Sequence, residues 1–230
     1  DPDIDVIRFD STENPAFPAS EMARAKRDLP KWKYDLFYRA IFTRPAGLIY
    51  DSFDPLRHIQ PRRALPTAWP RFLGLDFGGV NTAALFYAQE LKEVSRTPEG
   101  EIEWGDPTKR YFLYRQYKGG GRTAAEHVVE LLKGEAQVPV CFGGSKSEGQ
   151  WRQEFRAAGL NVREPLFSEV EIGIDRVYGA HKRDEVIVFA DLDGYLDQKA
   201  SYSRVLDERG EPTEEIEDKA TYHYMDAERY

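Results

Sequence analysis

The chain has 230 residues, a formal net charge of −8, and hydrophobic and charged fractions of 41% and 31%. This length suits one large domain, or one domain with an appendage, and the composition allows a sizeable core. No apolar stretch approaches the ~20 residues of a membrane-spanning helix, and we expect neither a membrane partner nor a secretory leader. The acidic balance argues against binding nucleic acid through overall charge, but it leaves a local basic groove open.

The cysteine content, the absence of a P-loop and the first residue further limit the kinds of protein that this chain could be. Cys141 is the only cysteine, which excludes an internal disulfide and a multi-cysteine zinc site and fits a reducing compartment. The sequence contains no P-loop pattern, so we expect no ATP site of that type in these residues. It starts with Asp1 rather than Met, and we expect it to be a piece of a longer chain.

Residues 1–70 have a different pattern from the rest of the chain. Ser20 predicts the N-cap of a short helix over residues 21–29 that ends before Pro30. A second short helix is predicted for KYDLFYRAIF, and a strand-like stretch interrupted by prolines for PAGLIYDSFDPLRHIQPRRALP. We interpret this region as a linker or a packing appendage of helical and extended segments.

From residue 71 onward, strand and helix patterns alternate. In chain order these are the strands FLGLDF, TAALFYAQEL and KRYFLYRQYK, the helix RTAAEHVVELLKG, the strand VPVCF, the helices SEGQWRQEFRAAGL and SEVEIGIDRVYGAHKR, the strand EVIVFAD, the polar hairpin SYSRVLDERGEPTEEIED and the helix ATYHYMDAERY. TPEGEIEWGDP predicts a turn-rich connection between the second and third strands. A three-strand meander followed by alternating helices and strands predicts an α/β fold with a mixed central sheet flanked by helices. Ribonuclease-H-like domains and the half-domain of actin-like sugar kinases share this order.

An acidic residue ends the first of these strands. In RFLGLDFGGVNTAALFYA, Asp76 follows a run of apolar residues and precedes Gly78 and Gly79. A carboxylate at the tip of a buried strand is costly to desolvate unless a divalent cation or backbone N–H groups compensate. The glycines would allow backbone and substrate to approach closely. Metal binding and simple capping of the turn therefore stay open for Asp76.

Two later stretches supply partners for Asp76. HYMDAER puts His223 and Asp226 three residues apart, on one face of a helix. Glu148 lies near the start of a helix, from which its carboxylate could turn toward Asp76. The alternatives are a solvated helix surface for the first pair and a favourable helix-dipole contact for Glu148. Three converging acids would suit two Mg²⁺ or Mn²⁺ ions ~4 Å apart, which cleave phosphodiesters without a protein nucleophile.

Together these stretches resemble the C-terminal nuclease domain of tailed-phage large terminase subunits, a ribonuclease-H-like domain, over most of the chain. The resemblance lies in GLDFGGVNTAALF, in SEGQWRQEFRAAGLNV followed by SEVEIGIDRVYGAHK, and in HYMDAERY. It implies that residues 1–70 are a linker and the tail of a preceding ATPase part, and that residues 71–230 are the nuclease domain. The implied catalytic residues are Asp76, Glu148, Asp226 and His223, and the first three are the implied metal ligands.

The sequence departs from this family's pattern at two places. Many members carry Asp at the end of the fourth strand, where this chain has Gly143 and Gly144. Many also carry an acid where this chain has Asn81. Two alternatives follow for the second metal ion: either its site is lost, or Glu148 from the following helix takes the role of the fourth-strand acid.

The resemblance implies an endonuclease that cuts concatemeric double-stranded DNA with a pair of Mg²⁺ or Mn²⁺ ions and with little sequence specificity. The implied partners are DNA, the ATPase part of the same chain, the portal and the small terminase subunit, in the host-cell cytoplasm and transiently at the procapsid portal. A candidate phosphate track comprises Lys109, Arg110, Arg115, Lys118, Arg122, Lys146, Arg152 and Lys219.

Two other functions stay open. The missing fourth-strand acid is compatible with a catalytically degenerate module that docks within the packaging motor. DFGGVNTA also resembles the phosphate loop of actin-like sugar kinases, where Asp76, the glycines and Thr82 would hold ATP.

Overall fold

The computed structural model describes residues 10–11, 14–28, 34, 38–40, 47–78, 80–167 and 169–230. The first predicted helix is present as α1 (Ala19–Asp28). It begins two residues earlier than predicted because the carbonyl of Pro18 already accepts the N–H of Met22, at 3.2 Å. The second predicted helix, KYDLFYRAIF, lies mostly outside the described residues.

Seven strands of the described residues form one mixed sheet, and two more form a separate hairpin. They are β1 (Ile59–Gln60), β2 (Arg71–Asp76), β3 (Asn81–Arg96), β4 (Ile102–Gly120), β5 (Val140–Gly143), β6 (Val162–Arg163), β7 (Val186–Phe189), β8 (Arg204–Leu206) and β9 (Pro212–Ile216). The order in the sheet is β1-β7-β4-β3-β2-β5-β6. β2, β3 and β4 form an antiparallel meander, and the other neighbours pair in parallel. The predicted mixed sheet is confirmed.

Helices cover both faces of this sheet, as predicted. They are α2 (Pro55–His58), α3 (Ala124–Leu132), α4 (Gly149–Ala157), α5 (Val170–Lys182), α6 (Asp193–Ser201) and α7 (His223–Arg229). The sequence patterns did not predict α6, because its polar sequence DGYLDQKAS carries no clear apolar stripe. It is helical in the fold because Tyr195 and Lys199, one turn apart, are both buried against the rest of the protein.

The prediction of a turn-rich connection over TPEGEIEWGDP was wrong for most of that stretch. The turn itself is confined to the tip, where Gly100 donates to the carbonyl of Thr97 at 2.9 Å. β4 starts at Ile102, which pairs with Arg96 of β3, and the pairing continues through several irregularities of register. Pro107 lies within this strand, because such irregularities tolerate a residue that lacks an N–H donor.

The sheet separates two apolar clusters. On one face, α3 and α4 pack against β2 residues that include Leu73 and Leu75. On the other face, the cluster combines strand residues with residues of α5, α6 and α7. Because side chains alternate along a strand, Gly74 and Asp76 face this second side. The end of β2 therefore presents its carboxylate toward α7.

The described residues just before position 71 belong to the same body. Ile49, Tyr50 and Phe53 are part of the cluster on the α5–α7 face, and β1 extends the sheet by pairing with β7. The division of the chain at residue 70 stays a prediction. No helix among the described residues has the length and apolar character needed to cross a membrane.

A buried ion pair joins α6 to α7. Lys199 Nζ lies 2.8 Å from Glu228 Oε2, and the two side chains are 0% and 5% exposed. Tyr195 donates its hydroxyl to the other oxygen of Glu228 at 2.7 Å. Burial lowers the pKa of Lys199 to about 8. Burial alone would raise the pKa of Glu228, but Lys199 and His181 bring it down to about 2, so both partners are charged at neutral pH.

We expect Lys199→Met to lower the free energy of unfolding by about 3 kcal/mol, because it leaves the carboxylate of Glu228 buried without its cation. Denaturant unfolding followed by circular dichroism measures the change. Arg96→Met, which removes an exposed ion pair with Glu93, is the control and should leave the stability almost unchanged. Equal losses in the two variants would contradict the anchoring role of Lys199.

Candidate active site

The backbone of α7 approaches β2 closely at Gly74, two residues before Asp76. A Cβ atom on Gly74 would lie 2.2 Å from the carbonyl oxygen of Ala227, a distance no real contact allows. Glycine at this position therefore lets the backbone of α7 rest directly on β2. Asp226 immediately precedes Ala227, and Asp76 follows Gly74 by two residues on the same face of the strand.

His223 and Asp76 are in direct contact. Nδ1 of His223 lies 3.0 Å from Oδ2 of Asp76, and both side chains are largely buried. Burial lowers the pKa of His223, Lys118 lowers it further and Asp226 opposes them. The imidazole is therefore neutral at neutral pH, and a single proton held by either partner makes the hydrogen bond.

Two of the three acids predicted from the sequence raise the pKa of the third, Asp76. Burial raises the pKa of Asp76 to about 8, with further increases from Asp226 and Glu148 and a partial offset from Arg229. Because electrostatic effects weaken with distance, these contributions indicate that Asp226 of α7 and Glu148 before α4 lie near Asp76 at the end of β2. Their roles as metal ligands stay a prediction.

Each of these carboxylates also has a partner within the protein. Asp226 pairs with the guanidinium of Arg229. Oε2 of Glu148 accepts the backbone N–H of Ser145 at 2.6 Å. Among the described residues, no group of three acidic, histidine or cysteine side chains is arranged to hold a metal ion.

The donor chemistry of the site nevertheless fits a hard divalent cation. Asp76, Glu148 and Asp226 offer carboxylate oxygens only. Burial and the two neighbouring carboxylates raise the pKa of Asp76 to about 8, so the protein compensates the charge of its ionised form only in part. These three residues would hold such an ion after Asp226 and Glu148 turn away from their present partners.

The glycines that replace the fourth-strand acid are required by the backbone of this chain. A Cβ on Gly143 would lie 2.3 Å from the carbonyl oxygen of Leu75, on the neighbouring strand. Gly144 has a φ of +73°, and a Cβ there would lie 2.5 Å from the ring of Phe77. An aspartate at either position would force the strands or the ring to move. That Glu148 takes the place of this acid stays a prediction.

The sequence analysis did not identify two residues at the end of α7 as part of the candidate site. Arg229 lies three residues after Asp226, the spacing of an ion pair on a helix, and this was the signal that could have found it. Tyr230 lies among the same groups. Burial raises the pKa of its hydroxyl to about 12, an increase that Arg229 opposes and the three carboxylates reinforce.

Two arginines of the predicted phosphate track are committed to the fold. Arg115 donates to the carbonyl of Leu131 at 3.0 Å and to Glu135 at 2.9 Å. Arg152 is buried and donates to the carbonyl of Ser145 at 2.8 Å. Both guanidinium groups hold backbone carbonyls in place, which leaves them poorly suited to a phosphate.

The remaining basic residues of that track do not all lie near Asp76. Lys109 precedes Lys118 by nine residues on β4, which places it roughly 30 Å away from the edge with Asp76. Lys118 is exposed and lies close enough to His223 to lower its pKa. The other exposed members are Arg110, Arg122, Lys146 and Lys219.

Comparison with known proteins places this geometry in a recognised fold. No protein-family model and no curated protein matches the sequence. The large terminase of a thermophilic bacteriophage has a similar structure, with a TM-score of 0.60 and 18% identity over 96% of this chain. The chain spans 53% of that terminase, about half its length. The same terminase was also solved in complexes with ADP and with ATP-gamma-S.

Two nuclease domains match over most of their own length. The P22 large terminase nuclease domain has a TM-score of 0.58 and 17% identity, covering 82% of this chain and 92% of that one. The large terminase nuclease of the thermophilic phage G20c, solved with bound cobalt, has a TM-score of 0.53 and 15% identity, covering 80% and 96%. At these identities the likeness shows the fold alone, and it confirms the predicted ribonuclease-H-like fold of large terminase nuclease domains.

We expect Gly74→Ala to destabilise the protein by about 2 kcal/mol, because the added methyl group pushes α7 away from β2. Thermal and denaturant unfolding measure the loss. Gly149→Ala is a matched control, since a Cβ there meets only the end of the Arg152 side chain, at 3.9 Å. A Gly74→Ala protein as stable as the control would show that the close approach is dispensable.

Without added metal, we expect Asp76→Asn to stabilise the protein increasingly as the pH rises from about 4 to about 8. The folded state raises the pKa of Asp76, so ionising this carboxylate costs folded stability above its unfolded pKa, and the full cost is present above the folded pKa. The difference from wild type should reach on the order of 2 kcal/mol at the alkaline end.

Unfolding curves of wild type and variant across this pH range test the expectation. Asp106→Asn, at an exposed position, should follow wild type throughout. A difference for Asp76→Asn that stays constant with pH would show that the carboxylate is not destabilised by burial.

Proposed function

We propose that this chain is the nuclease part of a viral DNA-packaging terminase and that it hydrolyses phosphodiester bonds of concatemeric double-stranded DNA. The observation that carries the proposal is the 3.0 Å contact between His223 and Asp76 at a strand end of this fold, with Asp226 on the same helix as His223. Asp226 and Glu148 also lie close enough to Asp76 to raise its pKa, and the three carboxylates form an acidic cluster. Such a cluster favours a divalent cation over a set of separate protons at neutral pH. Support also comes from the G20c nuclease, which has this fold and was solved with cobalt bound.

The three acids would hold two Mg²⁺ or Mn²⁺ ions, which supply an activated water and stabilise the leaving oxygen of the phosphodiester. His223, which contacts Asp76, supplies a second polar group to the site. Because its Nδ1 is bonded to Asp76, its Nε2 is left to orient a water or to contact a phosphate oxygen. Lys118 adds an exposed positive charge near the same residue and favours the approach of the DNA backbone.

We propose little sequence specificity for this nuclease. The basic groups near the acids, Lys118 and Lys146, lie on a strand and on a short 3₁₀ turn, which suits contacts to phosphates. Base edges are usually read by a helix or ribbon inserted into the major groove, and we assign no element of this chain to that task.

Further parts and partners follow from the length of the similar proteins. The large terminase that was solved with ADP and with ATP-gamma-S extends well beyond the half that this chain matches. We therefore propose that the full-length protein carries an ATPase part, which moves DNA, joined to this nuclease through residues 1–70. The portal and the small terminase subunit would be its partners, in the host-cell cytoplasm and at the procapsid portal.

One observation favours a second candidate, a catalytically degenerate module that docks within the packaging motor. The described acids are not arranged to hold a metal ion, and the fourth-strand acid is replaced by glycines that the backbone requires. The sugar-kinase alternative gains nothing comparable, because Thr82, the hydroxyl assigned there to ATP, is only 1% exposed.

Cleavage of supercoiled plasmid with Mn²⁺ or Mg²⁺ tests the nuclease directly. We expect Asp76→Asn and Asp226→Asn to lower the cleavage rate on the order of 100-fold or more, because each removes a ligand charge from the metal site. Glu148→Gln should have a comparable effect if this residue takes the place of the fourth-strand acid.

Asp106→Asn, which changes an exposed carboxylate on β4, is the control and should cleave at the wild-type rate. Cleavage that survives Glu148→Gln would leave Asp76 and Asp226 as the core of the site. Absence of cleavage by the wild-type chain with both metals would favour the docking module.

A further inference from the structure

Arg229 lies within the acidic cluster as a nearly buried cation. Its side chain is 5% exposed, and its guanidinium pairs with the carboxylate of Asp226. It also lowers the pKa of Asp76, against the effect of the other acids. Among the described residues, its Nε is buried and has no hydrogen-bond partner. Its guanidinium donates a hydrogen bond to the carboxylate of Asp226, so the position of this cation depends on the acidic cluster.

The fold makes room for this side chain from the neighbouring helix. A Cβ atom on Gly173 of α5 would lie 2.9 Å from Cβ of Arg229 and 3.2 Å from its Cδ. Because Gly173 has no side chain, the aliphatic part of Arg229 can lie directly against α5. The ring of Tyr230 lies 5.6 Å from the guanidinium carbon and covers it on another side.

A guanidinium and a divalent cation at the same carboxylate repel each other. Two positive groups a few ångströms apart interact unfavourably, and more strongly in a buried site than in water. Arg229 supplies one positive charge to a cluster that contains three carboxylates, so it offsets only part of their repulsion. A divalent ion at Asp226 would offset more, and it would weaken or replace the contact with Arg229.

On the basis of the proposed function, we propose that Arg229 is a resident counter-ion of the acidic cluster that competes with divalent metal for Asp226. The residue thereby weakens metal binding by the folded protein and keeps the acids together when the metal concentration is low. Arg229 touches Asp226 rather than substrate, and it acts on the site through that carboxylate.

Isothermal titration of the 230-residue chain with MnCl₂, without DNA, tests this competition. We expect Arg229→Gln to bind Mn²⁺ roughly tenfold more tightly than wild type, because the competing charge is gone. Arg229→Met keeps much of the aliphatic packing against Gly173 and should show the same gain. Arg229→Lys retains the charge and should bind with an affinity close to that of wild type.

Arg96→Gln is the matched control, since it removes an arginine from another pair spaced three residues apart, on the distant β3–β4 hairpin. It should leave Mn²⁺ affinity unchanged. Circular dichroism melts identify any Arg229 variant that fails to fold, and the folded one of the Gln and Met pair then decides. If both variants unfold, Arg229→Lys decides. A Mn²⁺ affinity of Arg229→Lys that differs clearly from that of wild type would then overturn the competition.

The outcomes separate this inference from the proposed function. Equal or weaker Mn²⁺ binding by folded Arg229→Gln or Arg229→Met would overturn the competition, while leaving a metal site in place. A gain in Arg229→Lys as large as that in Arg229→Gln would also overturn it, because charge would not be the cause. No Mn²⁺ binding by any of these proteins, with Asp226→Asn indistinguishable from wild type, would overturn the proposed function and this inference with it.

Discussion

The contact between the backbone of α7 and β2 at Gly74 is the constraint on which the candidate site depends. With no side chain between them, the helix lies against the strand, and Asp226 comes near the strand end that carries Asp76. The buried ion pair of Lys199 and Glu228 joins the same helix to α6. A helix of seven residues has little stability of its own, so these two tertiary contacts keep it in position.

The same packing explains the electrostatics of the site. The packing of α7 on the sheet places Asp226 near the buried Asp76, and burial, Asp226 and Glu148 together raise the pKa of Asp76 to about 8. Such an arrangement is unfavourable for folding by itself, and proteins usually carry costs of this kind where they bind something. Arg229 and His223 relieve part of the cost from within the chain, since one supplies charge and the other a hydrogen bond.

The fold was predictable where local patterns were strong. The continuous apolar run before Asp76 and the helical spacing after Arg122 both appear in the structure as β2 and α3. Prediction failed where tertiary contacts overrode composition. The stretch around Pro107 pairs with β3 despite its turn-forming residues, and α6 is helical because Tyr195 and Lys199 find buried partners.

The candidate acids and the candidate histidine could be identified from the sequence, because a carboxylate after a buried strand and a His–Asp spacing on a helix are local signals. The packing of distant segments was needed to show that Asp76 contacts His223, 147 residues away. The same packing makes Arg115 and Arg152 donate to backbone carbonyls, where the sequence had predicted a surface track. It also shows that positions 74 and 143 must be glycine because a side chain there would clash with the backbone of a neighbouring element. The pairing of Arg229 with Asp226 of the acidic cluster is a further result of the packing. Distances between side chains from remote segments depend on how elements pack, and periodicity along the chain does not carry that information.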